Sequence, residues 1–160
     1  MSDILSDVSL RPADSGDAAK LSELALRSKA YWGYSFDFME SCRDELTYTA
    51  DQVESPASIF MIAELGAKSV GFYALEELSS GKFDLKALFV DPDHIGTGIG
   101  HALMTHARDV AARTGATHIV VQSDPHARAF YEHIGAVHVG EEESDSIPGR
   151  YLPTLVISLG

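Results

Sequence analysis

The segment DPDHIGTGIG, residues 91–100, is the most informative about the fold, because it joins an apolar strand pattern over 82–90 to a helical pattern over 98–114. Its alternating glycines, at 96, 98 and 100, carry no side chain that would block the close approach of a ligand. The first turn of a helix has unpaired backbone N–H groups, and together with the helix dipole they favour an anion. The segment therefore predicts a phosphate-binding turn. A tight strand–helix turn without a ligand is the alternative, but one turn does not require three alternating glycines.

Two familiar phosphate-binding motifs do not fit this segment. The P-loop pattern GxxxxGK[ST] is absent, and the glycine spacing is GxGxG instead of the GxGxxG of dinucleotide-binding folds. Asp124 stands where such a fold would place its ribose-binding acid, but Pro125 follows it, which is typical of a helix N-cap. Only 36 residues follow Asp124, too few to complete a doubly wound sheet.

Outward from residues 91–100, period-2 and period-3.6 patterns alternate along the chain. Asp14 and Ser35 are predicted to cap two early helices, the second running to about Thr47, and a further helix should follow Asp124 and end at Gly135. The order is β-α-α-β-β-β-α-β-α-β-β, which indicates a mixed α/β fold. The predicted strands are Val8–Arg11, Ser58–Leu65, Ser69–Leu78, Lys82–Val90, Thr117–Gln122, Ala136–Glu141 and Leu152–Leu159.

Two segments resemble motifs of the GNAT superfamily of acetyl-CoA-dependent N-acetyltransferases. Residues 91–103 resemble its pyrophosphate-binding motif, (Gln/Arg)-x-x-Gly-x-(Gly/Ala). Residues 124–136, DPHARAFYEHIGA, resemble its Asn-Pro-x-Ala-x-x-Phe-Tyr-x-x-x-Gly-Phe segment, one helix and one strand later. The resemblance implies a single α/β domain over residues 1–160, with a mixed central sheet flanked by helices on both faces.

The same resemblance implies an enzyme that moves the acetyl group of acetyl-CoA to a primary amine of a small molecule or peptide, by direct attack in a ternary complex. A non-catalytic acyl-CoA-binding or sensor protein with this fold is the alternative, and the lack of an obvious general base favours it. Because dimers are common in that family, the resemblance also leaves a homodimer open.

Catalytic roles follow from the resemblance residue by residue. Tyr131 matches the tyrosine that protonates the departing thiolate of coenzyme A, since a phenol with a pKa near ~10 is a suitable acid. The backbone N–H of Val90 is expected to polarise the thioester carbonyl. Asp84 is a candidate general base, with Glu76 and Glu77 as alternatives. The residues expected to bind the cofactor are Leu88, Phe89, Val90, Ile95, Gly96, Thr97, Gly98, Ile99, Gly100, His101, Asp124, Ala127, Phe130 and Tyr131.

The segment YWGYSFDF, residues 31–38, concentrates five aromatic residues between the first two predicted helices. Rings spaced so closely cannot all face one core, and in the family this region shapes the acceptor site. The expected substrate-binding residues are Tyr31, Trp32, Tyr34 and Arg150. A loop pinned to the core by its rings, and a surface arginine after a loop, are the simpler alternatives.

Two residues depart from the family motifs. Ile95 occupies the Gln/Arg position, and the lost charged contact to phosphate would be worth about 1.5–3 kcal/mol. Backbone donors remain, and His94 can compensate if protonated. Asp124 stands where Asn is typical, and its carboxylate can accept a hydrogen bond but not donate one.

Charge and composition exclude several classes of function. The net charge of −12 disfavours nucleic acid and anionic membranes, and no apolar run approaches the roughly 20 residues of a membrane span. One cysteine and the absence of a signal sequence predict a cytoplasmic protein. Residues 1–85 carry 7 basic and 15 acidic residues, but residues 86–135 carry 4 and 5, which hints at a cationic acceptor outside the cofactor half.

All seven histidines lie between His94 and His138, a concentration that raises the question of a metal site. However, no HExxH motif is present, and His101 and His106 are five residues apart, so they do not share one helix face. The sequence therefore predicts no metal.

Overall fold

The computed structural model of the chain describes residues 4–79 and 81–159, and one seven-stranded sheet organises them. The spatial order is β1-β2-β3-β4-β5-β7-β6, and all neighbouring pairs are antiparallel except β4 and β5, which are parallel. The strands are β1 (Val8–Pro12), β2 (Ser58–Leu65), β3 (Lys68–Ser79), β4 (Lys82–Val90), β5 (His118–Gln122), β6 (Val137–Glu143) and β7 (Tyr151–Ser158).

Helices cover both faces of this sheet, as the sequence predicts. One core packs α1, α2 and α3 against one face, and the other packs α4 and α5 against the opposite face. Along β3 the buried side chains alternate between the two cores, with Phe72 and Ala74 on the first and Tyr73 and Leu75 on the second. The helices are α1 (Ala18–Ala30), α2 (Phe36–Cys42), α3 (Ala50–Glu54), α4 (Ile99–Arg113) and α5 (Arg128–His133). None of them is long and apolar enough to cross a membrane.

The expected caps start their elements. Asp14 forms a capping box with Asp17, and the side chain of Ser35 accepts a hydrogen bond from the Phe38 amide. Asp124 accepts from the His126 amide and begins a short 3-10 turn, Pro125–Ala127, that leads into α5.

The region after α2 differs from the prediction. The expected helix to Thr47 was wrong, because α2 ends at Cys42 and the chain continues in turns, with the Thr47 amide bonded only three residues back to the Asp44 carbonyl. Leu46 is nevertheless buried, so its apolar spacing from α2 wrongly suggested that the helix continues. The sequence analysis also missed α3, although Thr49 and Gln52 form the capping box at its N-terminus.

The feature that positions the site is the divergence of β4 from β5. Their parallel pairing covers only Lys82 to Asp84, so the rest of β4 has no partner on that edge. On its other edge β4 stays paired with β3 as far as Val90. Beyond this pairing, the buried Asp91 carboxylate accepts a hydrogen bond from Arg27 of α1 at 2.9 Å, which ties α1 to the end of β4.

Candidate active site

A cleft of about 1150 Å³ opens where β4 and β5 diverge. The Asp91 amide donates to Val70 of β3 at 2.8 Å, and backbone groups of a strand alternate in direction. The amides of Leu88 and Val90 therefore face away from β3, into the gap left by β5. Both residues line the cleft, and an extended ligand laid along β4 would meet their free donors.

The glycine turn and the start of α4 close one end of the cleft. Gly96 and Gly98 have φ angles of 82° and 89°, a left-handed conformation that side-chain-bearing residues rarely adopt. Gly98 precedes α4 and provides no side-chain cap, and the first helical hydrogen bond within this turn is donated by Ala102. The amides of residues 99–101 thus have no intrahelical acceptor, which is the arrangement that binds an anion.

Two side chains differ sharply at this end. Ile95 is 42% exposed beside the cleft, so the apolar residue at the usual Gln/Arg position contributes no polar group there. His94 also lines the cleft, and its buried Nδ1 has no hydrogen-bond partner among the residues that the structure describes. A buried unpartnered imidazole nitrogen is costly unless a ligand or water satisfies it. This Nδ1 is closed to solvent, so the backbone amides at the start of α4, and not His94 Nδ1, are the anion donors at this end of the cleft.

Tyr131 lies in the wall of the cleft, on α5. The residue is only 6% exposed, and its hydroxyl makes no hydrogen bond to any residue that the structure describes. Burial, with a smaller contribution from Asp124, raises the pKa of this phenol well above its usual value. The hydroxyl therefore remains protonated across the physiological range and is free to donate to a ligand.

Asp84 faces the cleft from β4, on the side of the sheet that α1, α2 and α3 cover. Burial raises the pKa of this carboxyl, whereas Lys86, whose Nζ lies 3.4 Å from Asp84 Oδ2, opposes the shift. Glu76, the register partner of Asp84 on β3, also lines the cleft and adds to the increase. A carboxyl with a raised pKa is a better proton acceptor than an ordinary one.

Asp124 centres a hydrogen-bonded cluster on the β5 side of the cleft. Its carboxylate accepts from the Tyr34 hydroxyl at 2.8 Å and lies 3.4 Å from Lys29 Nζ and 3.7 Å from Arg150 Nη2. Arg150 also donates to the Tyr34 hydroxyl at 3.1 Å. Burial alone would raise the pKa of Asp124, but hydrogen bonds from the His126 amide and Tyr34 outweigh it and lower that pKa.

Aromatic rings hold the cationic side chains of this cluster. Tyr34 stacks on Phe38 with ring centroids 4.0 Å apart, and the Arg150 guanidinium lies 4.8 Å from the Phe38 centroid. Trp32 stacks almost parallel on His126 at 4.9 Å. The loop after α1 is thus fixed against the turn that begins with Asp124.

The structure brings most of the predicted site residues together in one cleft. Thr97, Tyr31 and Tyr34 do not line it: the Thr97 hydroxyl donates back to the His94 carbonyl, Tyr31 packs edge-on against Trp32 on the exposed side, and Tyr34 acts through Asp124. Those that line it are Trp32, Asp84, Leu88, Phe89, Val90, Ile95, Gly96, Gly98, Ile99, Gly100, His101, Asp124, Ala127, Phe130, Tyr131 and Arg150.

Sequence reasoning missed Lys29 and His126, which also line the cleft. Lys29 belongs to no motif, and only its place in the last turn of α1 could have indicated that it lies near the aromatic segment. Within residues 4–79 and 81–159, no group of three histidine, cysteine or acidic side chains could hold a metal ion.

Comparison with known proteins identifies the fold and the family. The acetyltransferase (GNAT) domain family matches residues 36–146. An uncharacterized N-acetyltransferase of Bacillus subtilis, YhfO, is 26% identical over 136 residues, which cover 80% of this chain and 89% of that protein. A GCN5-related N-acetyltransferase of Rhodopseudomonas palustris has a TM-score of 0.78 at 25% identity, covering 94% of each chain. The PaiA N-acetyltransferase of Thermoplasma acidophilum, solved with coenzyme A, has a TM-score of 0.75 at 18% identity over 99% of each chain.

Proposed function

The chain belongs to the GNAT acetyltransferase family, and on that premise we propose that it transfers the acetyl group of acetyl-CoA to a primary amine of a small molecule or peptide. The observation that carries the proposal is the cleft between β4 and β5, which has an anion-binding helix start at one end and the unbonded Tyr131 hydroxyl in its wall. This combination suits a long phosphorylated ligand with a reactive end.

The residues present fit acetyl-CoA. The amides of residues 99–101 would hold the pyrophosphate, with His94 beside them in the lining of the cleft. The rest of the free backbone edge of β4 would hold the pantetheine arm as an added strand would, and the Val90 amide is kept for the acetyl oxygen. When bound, acetyl-CoA supplies an acetyl group activated as a thioester.

Three groups of the chain would serve the transfer. Asp84 would take a proton from the acceptor ammonium, directly or through water, to give the nucleophilic amine. The Val90 amide would donate to the acetyl oxygen as negative charge develops there. The Tyr131 hydroxyl would donate to the departing sulfur. Asp84 and Tyr131 both line this cleft.

A non-catalytic acyl-CoA sensor is the second candidate, because Ile95 leaves the phosphate end without the usual polar side chain. Coenzyme A release measured with a thiol reagent across a panel of primary amines separates the two. The transferase releases coenzyme A only when an accepted amine is present. Calorimetric binding of acetyl-CoA without release for any amine favours the sensor, and no binding at all contradicts both.

A further inference from the structure

The cluster around Asp124, which lines the cleft, carries more buried positive than negative charges. The side chains of Lys29, Arg150 and Asp124 are only 13%, 19% and 17% exposed. The pKa of Asp124 is lowered, so the cluster holds two cations and one carboxylate. Partly buried charges are stable only when they are paired. Among the described residues, Asp124 is the one carboxylate within 4 Å of either cation, while Glu45 and Asp145 line the cleft farther away.

The same two cations retain unused donors. Among the residues that the structure describes, Arg150 makes one side-chain hydrogen bond, through Nη2 to Tyr34, and its Nε and Nη1 groups have no acceptor. In the described part of the chain, Lys29 Nζ has one hydrogen-bond partner, Asp124, at a long 3.4 Å, and it also lies 5.6 Å from the centroid of the Tyr34 ring. Arginine and lysine donors that converge on a cleft recognise carboxylate or phosphate.

Acidic residues provide the opposite charge on the sheet side of the cleft. Asp84 and Glu76 are directly opposed on β4 and β3, and both line the cleft. Lys86 Nζ lies 3.4 Å from Asp84 Oδ2, so these two carboxyl groups share one cation and Glu76 is left to attract an ammonium group. The acceptor region is therefore divided into a cationic part around Arg150 and an acidic part around Asp84.

We propose that the acceptor carries a carboxylate as well as the primary amine, as an amino acid or a related zwitterion does. Lys29 and Arg150 bind its carboxylate, and the amine points toward Asp84. This inference rests on the proposed function and adds a substrate class to it. A purely cationic acceptor, which the charge along the sequence hints at, would leave the donors of Lys29 and Arg150 unsatisfied.

The test compares matched acceptors: glycine, β-alanine and γ-aminobutyrate, each against its own carboxamide, which has nearly the same size without the negative charge. For at least one pair, kcat/KM should favour the carboxylate about tenfold or more, which is about 1.4 kcal/mol. Equal or better turnover of all three carboxamides overturns the inference but leaves the acetyltransferase assignment intact.

Variants locate the preference in the chain. Arg150→Met and Lys29→Met should each reduce the carboxylate preference at least severalfold, whereas Arg150→Lys, which keeps the charge, should retain part of it. Arg113→Met is the matched control, because this exposed arginine on α4 pairs, within residues 4–79 and 81–159, only with Asp109. If Arg150→Met instead raises the KM for acetyl-CoA and leaves the carboxylate preference unchanged, the cluster serves the cofactor and the inference is wrong.

A binding measurement separates this inference from the proposed function. Titration calorimetry of γ-aminobutyrate and its carboxamide into the protein saturated with coenzyme A reports the preference without any turnover. Tighter binding of the carboxylate, lost in Arg150→Met, supports the inference even if no acetyl transfer is found. Equal binding of the two probes, together with transfer to both, contradicts it.

Discussion

Replacing Tyr131 with phenylalanine should separate catalysis from stability. The Tyr131 hydroxyl has no hydrogen-bond partner in the described part of the chain, so its removal orphans no other group. The free energy of unfolding should change by less than about 1 kcal/mol. A positioned proton donor contributes about 10²–10⁴-fold to rate, so kcat should fall by at least about 100-fold. At 1.36 kcal/mol per tenfold, this is about 2.7 kcal/mol or more of lost transition-state stabilisation.

The matched control is Tyr73→Phe, in the same core. The Tyr73 hydroxyl bonds to His106 Nδ1 at 2.7 Å, so its loss leaves a partner unsatisfied and should cost about 1–3 kcal/mol of stability. For a chain of this length, each kcal/mol shifts Tm by about 2–4 °C. Steady-state kcat and thermal unfolding of both variants give the comparison. A Tyr131→Phe enzyme within threefold of the wild-type kcat would refute the assignment of Tyr131 as the proton donor.

Three further predictions concern the base, Gly71 of β3 and the end of β4. Asp84→Asn should lower kcat by about 10²–10⁴-fold. Lys86→Met removes a cation that lowers the pKa of Asp84, so the acidic limb of the pH profile of kcat/KM should move to higher pH. An acidic limb that does not move would exclude Asp84 as the base. Gly71→Ala places a Cβ 2.9 Å from the Phe89 carbonyl oxygen and 3.0 Å from Leu103. The substitution should lower the free energy of unfolding in denaturant by about 1–3 kcal/mol. An unchanged free energy of unfolding would mean that α4 can shift freely. Asp91→Asn should reduce the free energy of unfolding by about 1–3 kcal/mol at pH 7. Burial raises the pKa of Asp91, but the Asp93 amide and Arg27 outweigh it and lower that pKa, so the stability difference from wild type should shrink as pH falls below about 4. A stability difference that stays constant with pH would contradict the ionic role of Asp91.

The sequence allowed the order of strands and long helices to be predicted, because alternation and helical spacing are local properties. The caps at Asp14, Ser35 and Asp124 were also predicted correctly, since each depends on residues two or three positions apart. The end of α2 was predicted wrongly, because Leu46 is buried in a turn and not in a helix, and the burial of an apolar residue does not distinguish the two.

The site was less predictable than the fold. The glycine turn and Tyr131 carry motif signals, so the sequence was sufficient to find them. Lys29 meets Asp124 across 95 positions of the chain, a contact that no local pattern contains. Summed charge pointed to a cationic acceptor, but only the fold shows that Lys29 and Arg150 share one cleft. Long-range ion pairs of this kind follow from topology, not from composition.

The most direct test of the account is mass spectrometry of the acceptor after incubation of the protein with isotopically labelled acetyl-CoA and a panel of amines and amino acids. We predict that the wild-type protein transfers the labelled acetyl group to the nitrogen of at least one acceptor, with an equal amount of coenzyme A released. Label found only in intact acetyl-CoA, or in free acetate, with no acetylated amine in the panel, would contradict the account.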